Sequence, residues 1–183
     1  MKNDFLESLV NLDQYPITDV NSQAYRQLTF KFRSYLENNG SAMLPDFLLS
    51  EAVERIVTEV DGIVSEAFSC HDMHNTYLEE FDETFPPDHP RRQKQETSLD
   101  VIAYDQMEPD DALRQLYESD VLLRFIQDIL SGNSLYRMAD PMAALTVNVM
   151  KEGDNHGWHF DESLVTTTIM LQKPEEGGKF QYV

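Results

Sequence analysis

The hydrophobic periodicity of this chain changes from helical to alternating near Pro141, and this change limits the folds that the chain can adopt. Before Pro141, apolar residues recur at helical spacing in several segments, which is typical of amphipathic helices. After Pro141, Leu145, Val147 and Val149 stand at every second position, as in a half-buried strand. Helices followed by an antiparallel β-unit indicate the α+β class.

Local signals set the expected boundaries of the helices. Apolar residues over 25–36 predict one amphipathic helix, and Gly40 is expected to end it. Ser50 is expected to cap a second helix with one apolar face. Two short helices are predicted over 110–130, with Gly132 as the terminator of the second. The polar, proline-containing segment 70–95 is predicted to be irregular. Short strands are predicted at 42–44, 99–104, around His159, at 164–172 and at 179–183.

Length and cysteine content favour one intracellular domain. A chain of 183 residues is long enough for a sizeable core, and it has no composition break or flexible linker. We therefore expect a single domain over 1–183, with a mainly helical region at 1–132 and the first strands of a β-core at 133–183. The single cysteine, Cys70, excludes an internal disulfide framework and fits a reducing, cytoplasmic compartment.

The charge of the chain argues against two classes of partner. Fourteen basic and 33 acidic residues give a formal charge of −19. Such a chain repels nucleic acid and anionic membrane surfaces, so we expect neither as a partner. The sequence has no signal-peptide pattern at its start and no apolar stretch of membrane-spanning length. A small-molecule substrate is the expected partner.

The segment His156-Gly157-Trp158-His159-Phe160-Asp161 carries the strongest chemical signal. In a strand, residues i and i+2 lie on one face, so His159 and Asp161 are expected to converge on a single ion. They would supply two of the three ligands of a 2-His-1-carboxylate site. A bare His-x-Asp is common by chance, but a turn precedes this one and a Thr-rich segment follows it. Trp158 and Phe160 are expected to pack into the core from the opposite face.

A family resemblance extends this interpretation. The segments 148–150, 153–154, 156–162, 166–172 and 174–182 are similar to those of Fe(II)/2-oxoglutarate dioxygenases. More narrowly, they resemble the branch of free-amino-acid halogenases and related hydroxylases. The segments His-Pro-Arg-Arg at 89–92 and Ala-Tyr-Asp at 103–105 also resemble that branch, so the resemblance covers roughly 41–183.

The resemblance implies a fold, cofactors and roles for particular residues. It implies N-terminal helices packed on a double-stranded β-helix, or jelly roll, of which only part is expected here. It also implies Fe(II), 2-oxoglutarate and O2, with His159 and Asp161 as catalytic iron ligands. Asn148 would face the co-substrate, with a structural hydrogen bond as the alternative. The implied substrate-binding residues are His156, Glu162, Arg91 and Arg92, and the alternatives are a turn histidine and a solvated charged loop.

The resemblance also predicts the reaction. In the halogenases a small apolar residue replaces the carboxylate ligand and leaves room for chloride, whereas Asp161 fills that position here. We therefore predict hydroxylation of an unactivated C–H bond in a small polar substrate, such as a free amino acid. The family also uses a distal His and a basic residue that pairs with 2-oxoglutarate. Neither His nor Arg occurs after Asp161, so the chain is expected to be the front part of such an enzyme.

Two other functions are compatible with the sequence. One is a non-catalytic binding protein that retains part of the dioxygenase fold and forms oligomers through open sheet edges. The other is a cupin-like metal protein that takes its third ligand from His71, His74 or His89. Mutation of each histidine followed by metal analysis would separate these alternatives.

Overall fold

The fold consists of helices and one small sheet. A computed structural model describes residues 2–130, 134–161, 163 and 165–182. Within these residues the helices are α1 (Lys2–Leu9), α2 (Gln23–Asn39), α3 (Ser50–Ile63), α4 (Ala112–Tyr117) and α5 (Asp120–Ile129). The strands are β1 (Phe68–His74), β2 (Gln95–Ala103) and β3 (Thr146–Val149). The described structure is therefore a mixed α+β fold.

Helix α2 begins and ends where its local sequence predicts. The Ser22 hydroxyl caps the N-terminus by accepting a hydrogen bond of 3.0 Å from the Tyr25 amide. At the other end Gly40 has a φ of 70°, and its amide donates to the Leu36 carbonyl at 2.8 Å. A residue with a side chain rarely adopts this left-handed conformation, so glycine is suited to end the helix.

The other helix predictions are confirmed apart from small shifts. Leu49, not Ser50, is the N-cap of α3, and it provides no side-chain hydrogen bond. Helices α4 and α5 match the two short helices predicted over 110–130, and the Ser119 hydroxyl caps α5. The predicted terminator Gly132 lies outside the described residues. Helix α1 was not predicted, because eight residues with a mixed apolar pattern give a weak signal.

The hydrophobic core lies between the helices and one face of the sheet. Ile17, Ile56 and Ile102 have no solvent exposure, and Phe125 is 1% exposed. Ile102 belongs to β2, so the helical core continues directly onto the sheet. Burying such side chains contributes about 1.5–3 kcal/mol each. This packing makes β2 the rigid element that supports the candidate site.

The sheet is antiparallel with the order β1-β2-β3. In its register, His74 pairs with Gln95 on β2, and Asn148 on β3 pairs with Val101. The prediction of irregular structure was wrong for 70–74, where β1 forms. Its first six residues are exposed or only partly buried, so the strand lacks the apolar alternation that sequence reasoning relies on.

The predicted jelly roll is not visible in the described residues, which form an open sheet of three strands. The strand predicted at 99–104 corresponds to β2 and the alternating segment after Pro141 to β3. The described residues of 42–44, 156–161, 165–172 and 179–182 contain no strand. A strand needs backbone partners as well as suitable side chains, and those partners are not supplied locally. None of the described helices is long and apolar enough to cross a bilayer.

Candidate metal centre

The segment that carries the two predicted ligands lies against β2. Asn155 and Ser98 exchange two backbone hydrogen bonds, of 2.7 and 3.0 Å. Beyond Asn155 the backbone bonds to side chains of β2 instead. The Gly157 amide donates to Thr97 Oγ1 at 3.1 Å, and the Trp158 amide donates to Gln95 Oε1 at 3.3 Å. Because side chains replace the backbone partners, the predicted strand around His159 does not form.

Gly157 allows this close approach. A Cβ atom placed on Gly157 would lie 2.9 Å from Gln95 Cβ, 2.9 Å from the Glu96 carbonyl oxygen and 3.0 Å from His74 Nε2. These distances are shorter than a real Cβ tolerates, and the carbonyl oxygen belongs to the backbone of a rigid strand. Glycine is therefore required here by lack of space rather than by an unusual backbone angle.

The side chains of His159 and Asp161 point toward each other. His159 Nε2 lies 3.4 Å from Asp161 Oδ1, and the two side chains are 22% and 53% exposed. His159 Nδ1 lies 2.7 Å from the Gly157 carbonyl oxygen, which can only accept a hydrogen bond. Nδ1 therefore carries the proton in the neutral ring, and the Nε2 lone pair faces the carboxylate. A cation can be bound between a lone pair and a carboxylate oxygen in this arrangement.

Two further histidines lie beside His159. The His156 and His159 rings are 4.6 Å apart between centroids, and the His74 and His159 rings are 6.3 Å apart. Partial burial lowers the pKa of His156, the electrostatic effect of the neighbouring His159 and His74 lowers it further, and Asp161 raises it. His156 was expected to face away from His159, as in a regular strand. That expectation was wrong because this segment is not a strand.

His74 is not free to act as a ligand in this arrangement. Its Nδ1 lies 2.9 Å from the Asn75 carbonyl oxygen, and its Nε2 lies 2.8 Å from Thr97 Oγ1. Both ring nitrogens are therefore engaged. Across the described ranges, no three His, Cys, Asp or Glu side chains are arranged to hold one metal ion. A 2-His-1-carboxylate site needs three protein ligands. The described residues thus offer candidates for two of them, His159 and Asp161.

One buried asparagine holds the two ends of the loop 75–94 together. Asn75 has no solvent exposure. Its Nδ2 donates to the carbonyls of Glu80 and Arg91, at 3.3 and 3.1 Å. Its Oδ1 accepts from the amides of Tyr77 and Glu79, at 2.9 and 3.2 Å. The side chain therefore joins both ends of the loop in place of regular secondary structure.

Asn75→Ala is expected to destabilise the protein by about 2–3 kcal/mol, because it leaves four partly buried backbone groups without partners. The unfolding midpoint in urea and the thermal midpoint would measure the loss. Asn39→Ala is the matched control, since the exposed Asn39 amide donates only to the carbonyl one helical turn earlier. Equal stability of the two variants would contradict the role assigned to Asn75.

The same loop carries the two predicted arginines. The Arg91 guanidinium lies 4.7 Å from the centroid of the Tyr77 ring and pairs with Glu79. The Tyr77 ring in turn lies 5.3 Å from Phe160, whose amide donates to the Thr76 carbonyl at 2.9 Å. Through the Tyr77 ring, Arg91 is thus linked to the ligand segment, which is the segment 155–161 that carries His159 and Asp161.

The remaining predicted site residues are Arg92, Glu162 and Asn148. Arg92 Nη1 donates to the Phe85 carbonyl at 3.0 Å, which is a contact within the loop. Glu162 lies outside the described residues. Asn148 pairs with Val101, which lies four residues along β2 from Thr97, or about 13 Å at strand spacing. It shares a sheet face with Thr97 but is displaced along the strand.

The expected core role of the two aromatic residues was wrong. Trp158 is 46% exposed and Phe160 is 58% exposed. Alternation with His159 would bury these two side chains only in a regular strand with one covered face. This segment does not form a strand.

The histidines considered as a third ligand lie in different places. Among the described residues, only His74 of these three has a ring contact with His159. His71 is exposed on β1, with its Nδ1 3.0 Å from Ser98 Oγ. The His89 ring stacks on Phe85 at 4.2 Å.

Sequence reasoning missed three residues that shape the site, namely Gly157, Thr97 and Asn75. A glycine directly between two histidines is a signal of close backbone approach that could have been used. Asn75 and Thr97 gave no comparable signal, because an isolated polar residue shows its burial only in the tertiary structure.

Comparison with known protein families shows which family the chain belongs to. The model of the family described as Halogenase D matches residues 24–183. The chain belongs to the Halogenase D family. Comparison with curated proteins and with solved structures gave no match. Membership in Halogenase D indicates a halogenase-related enzyme, and the matched residues include the candidate metal centre and the loop 75–94.

Proposed function

We propose that this chain contains the iron-binding segment of an Fe(II)/2-oxoglutarate-dependent oxygenase. The observation that carries the proposal is the 3.4 Å separation between His159 Nε2 and Asp161 Oδ1, with the Nε2 lone pair available. Two ligands at about 2.1 Å from an octahedral ion and at right angles to each other lie about 3 Å apart. A small movement of either side chain would therefore allow both to bind one ion.

In this proposal Fe(II), with 2-oxoglutarate and O2, supplies the oxidation of a substrate C–H bond. The protein positions the ion through His159 and Asp161, and the open sheet is one part of a double-stranded β-helix. Halogenase D membership supports the proposal, since the family indicates a halogenase-related enzyme.

Hydroxylation is the proposed reaction because the position next to His159 holds a carboxylate. In the halogenases that the chain resembles, a small apolar residue at that position leaves room for a halide to bind the iron. Asp161 occupies it with a charged oxygen ligand, which competes with chloride both for space and for charge. Chlorinated product from the wild-type protein would contradict the proposed reaction.

A small polar substrate, such as a free amino acid, is proposed from the groups around the metal centre. His156 stands next to His159 and can hold a polar substrate group. The Arg91 guanidinium has the geometry to bind a carboxylate through two hydrogen bonds, and a substrate would take the place of Glu79. Arg92 is the weaker candidate, because its guanidinium already donates within the loop.

Paramagnetic Mn(II), a probe for the Fe(II) position, tests the metal centre even when binding is weak. We expect Mn(II) to broaden the NMR signals of His159 and Asp161 first, and 2-oxoglutarate to strengthen the effect. His159→Ala should remove the broadening of the Asp161 signals. His71→Ala is the matched control, because it removes a histidine outside the proposed centre and should leave the broadening intact. With a charge of −19, carboxylates elsewhere also attract Mn(II), so broadening that survives His159→Ala would count against the proposal.

A non-catalytic interaction protein is the second candidate, and the exposure of apolar residues favours it. The described part of 134–182 includes large apolar side chains that are 41–82% exposed: Tyr136, Met138, Met142, Ile169, Met170, Phe180 and Tyr182. Exposed apolar side chains mark protein interaction sites where they form one patch. Absence of site-specific Mn(II) broadening, together with concentration-dependent association in analytical ultracentrifugation, would favour this candidate.

A further inference from the structure

A chain of hydrogen bonds runs from the buried interior of the sheet to His159. His74 and Thr97 are each 7% exposed, so their polar atoms depend on protein partners. His74 Nδ1 lies 2.9 Å from the Asn75 carbonyl oxygen, which can only accept, so Nδ1 carries the proton. In the neutral ring Nε2 is then an acceptor. The Thr97 hydroxyl, at 2.8 Å, donates its single proton to it.

The orientation of the Thr97 hydroxyl determines the next link. Once its proton is directed at His74, the oxygen presents its lone pairs to the Gly157 amide, which donates at 3.1 Å. The carbonyl of the same glycine accepts from His159 Nδ1 at 2.7 Å. The Asn75 carbonyl fixes the direction of the bond between His74 and Thr97. The Gly157 amide can only donate and the Gly157 carbonyl can only accept, so that carbonyl itself fixes the direction of the bond from His159 Nδ1.

We propose that His74 and Thr97 are positioning residues that, through the backbone of Gly157, hold His159 in the Nδ1–H tautomer with Nε2 facing Asp161. The proposal deepens the proposed function and rests on it for the role of His159 as a metal ligand. The tautomer itself does not depend on that function. Partners beyond the first ligands commonly orient a metal-binding imidazole in this way.

A purely structural role for these side chains explains less of the arrangement. Strands β1 and β2 are already paired by their backbones, with Asp72 opposite Thr97 and His74 opposite Gln95. The side-chain bonds are therefore not needed for that pairing. What they add is an acceptor for the buried Gly157 amide, and Gly157 is the residue whose carbonyl orients His159.

Long-range ¹H–¹⁵N NMR of the histidine rings tests the proposal without metal. The spectrum is recorded at a pH above the imidazole range, and the His signals are assigned with single variants. Wild-type protein is expected to show His159 and His74 as Nδ1–H tautomers. Thr97→Val, which keeps the side-chain shape but removes the hydroxyl, should give His159 a large Nε2–H population. Thr97→Ser retains the hydroxyl and should preserve the wild-type tautomer.

Metal affinity provides the second readout. Loss of an outer partner of a metal ligand typically lowers affinity about 10–100-fold. Thr97→Val keeps the Gly157 carbonyl that bonds to His159 but removes the group that positions it, so Mn(II) binding at His159 should weaken by about 10-fold, the lower end of that range. His74→Leu should do the same, whereas His74→Gln can accept from the Thr97 hydroxyl and should retain more of the affinity.

Two outcomes would overturn the proposal. One is a wild-type His159 that is mainly Nε2–H, a result that needs no variant to fold. The other is a folded Thr97→Val protein whose His159 tautomer matches the wild type. If the tautomers behave as expected but Mn(II) does not bind at His159 and Asp161, the positioning role of His74 and Thr97 is supported and the proposed function is contradicted.

Discussion

Asp161→Gly is expected to lower hydroxylase activity by more than about 100-fold. Loss of an outer partner of a metal ligand already costs about 10–100-fold, and this variant removes a proposed ligand itself. The protein would be assayed with Fe(II), 2-oxoglutarate and a panel of free amino acids. Succinate formation and the mass of the oxidised product are the measurements.

The charge change alone must be separated from the loss of the ligand. Glu152→Ala is a suitable control, because it removes a carboxylate from an exposed position in the same part of the chain. That variant should keep nearly full activity. An Asp161→Gly protein that still hydroxylates its substrate at the wild-type rate would contradict the assignment of Asp161 as a ligand. A wild-type protein with no turnover on any substrate would instead favour the interaction protein.

Gly157→Ala is expected to disrupt the metal centre and to destabilise the protein by about 1–3 kcal/mol. The new methyl group meets Gln95 Cβ and the Glu96 carbonyl oxygen at 2.9 Å, and neither belongs to a flexible side-chain end. The ligand segment must therefore move away from β2. That movement lengthens the bond from the Gly157 amide to Thr97 Oγ1 and displaces the carbonyl that orients His159.

Thermal unfolding and Mn(II) binding measure the two effects of Gly157→Ala. A loss of 1 kcal/mol lowers the melting temperature of a chain of this size by about 2–4 °C. Gly62→Ala is the matched control: this glycine lies in α3 and a Cβ there meets no atom within 4 Å. Alanine is favoured in a helix, so that variant should be neutral or slightly more stable. Similar behaviour of both variants would refute the steric argument.

The helices could be predicted well because their signals are local. Gly40 ends α2 by its own backbone freedom, and the apolar spacing of α2 and α5 shows which face is buried. Strand β1 could not be predicted in this way. Its residues are mostly polar and exposed, and it exists because the backbone of β2 pairs with it.

The candidate site shows the same division within a few residues. The spacing of His159 and Asp161 predicted that the two side chains would approach each other, and they do. The predicted reason, a regular strand, was wrong, and so was the expected burial of Trp158 and Phe160. The approach instead depends on contacts between the ligand segment and residues about sixty positions earlier in the chain, on β2.

The amino-acid sequence by itself determined the class of fold and most helix boundaries. Those features follow from interactions between residues close together in the chain. Only the tertiary structure decided why Gly157 must be glycine, which tautomer His159 adopts and how Asn75 holds the loop. These depend on the close packing of distant segments, where a few tenths of an ångström determine whether a hydrogen bond forms.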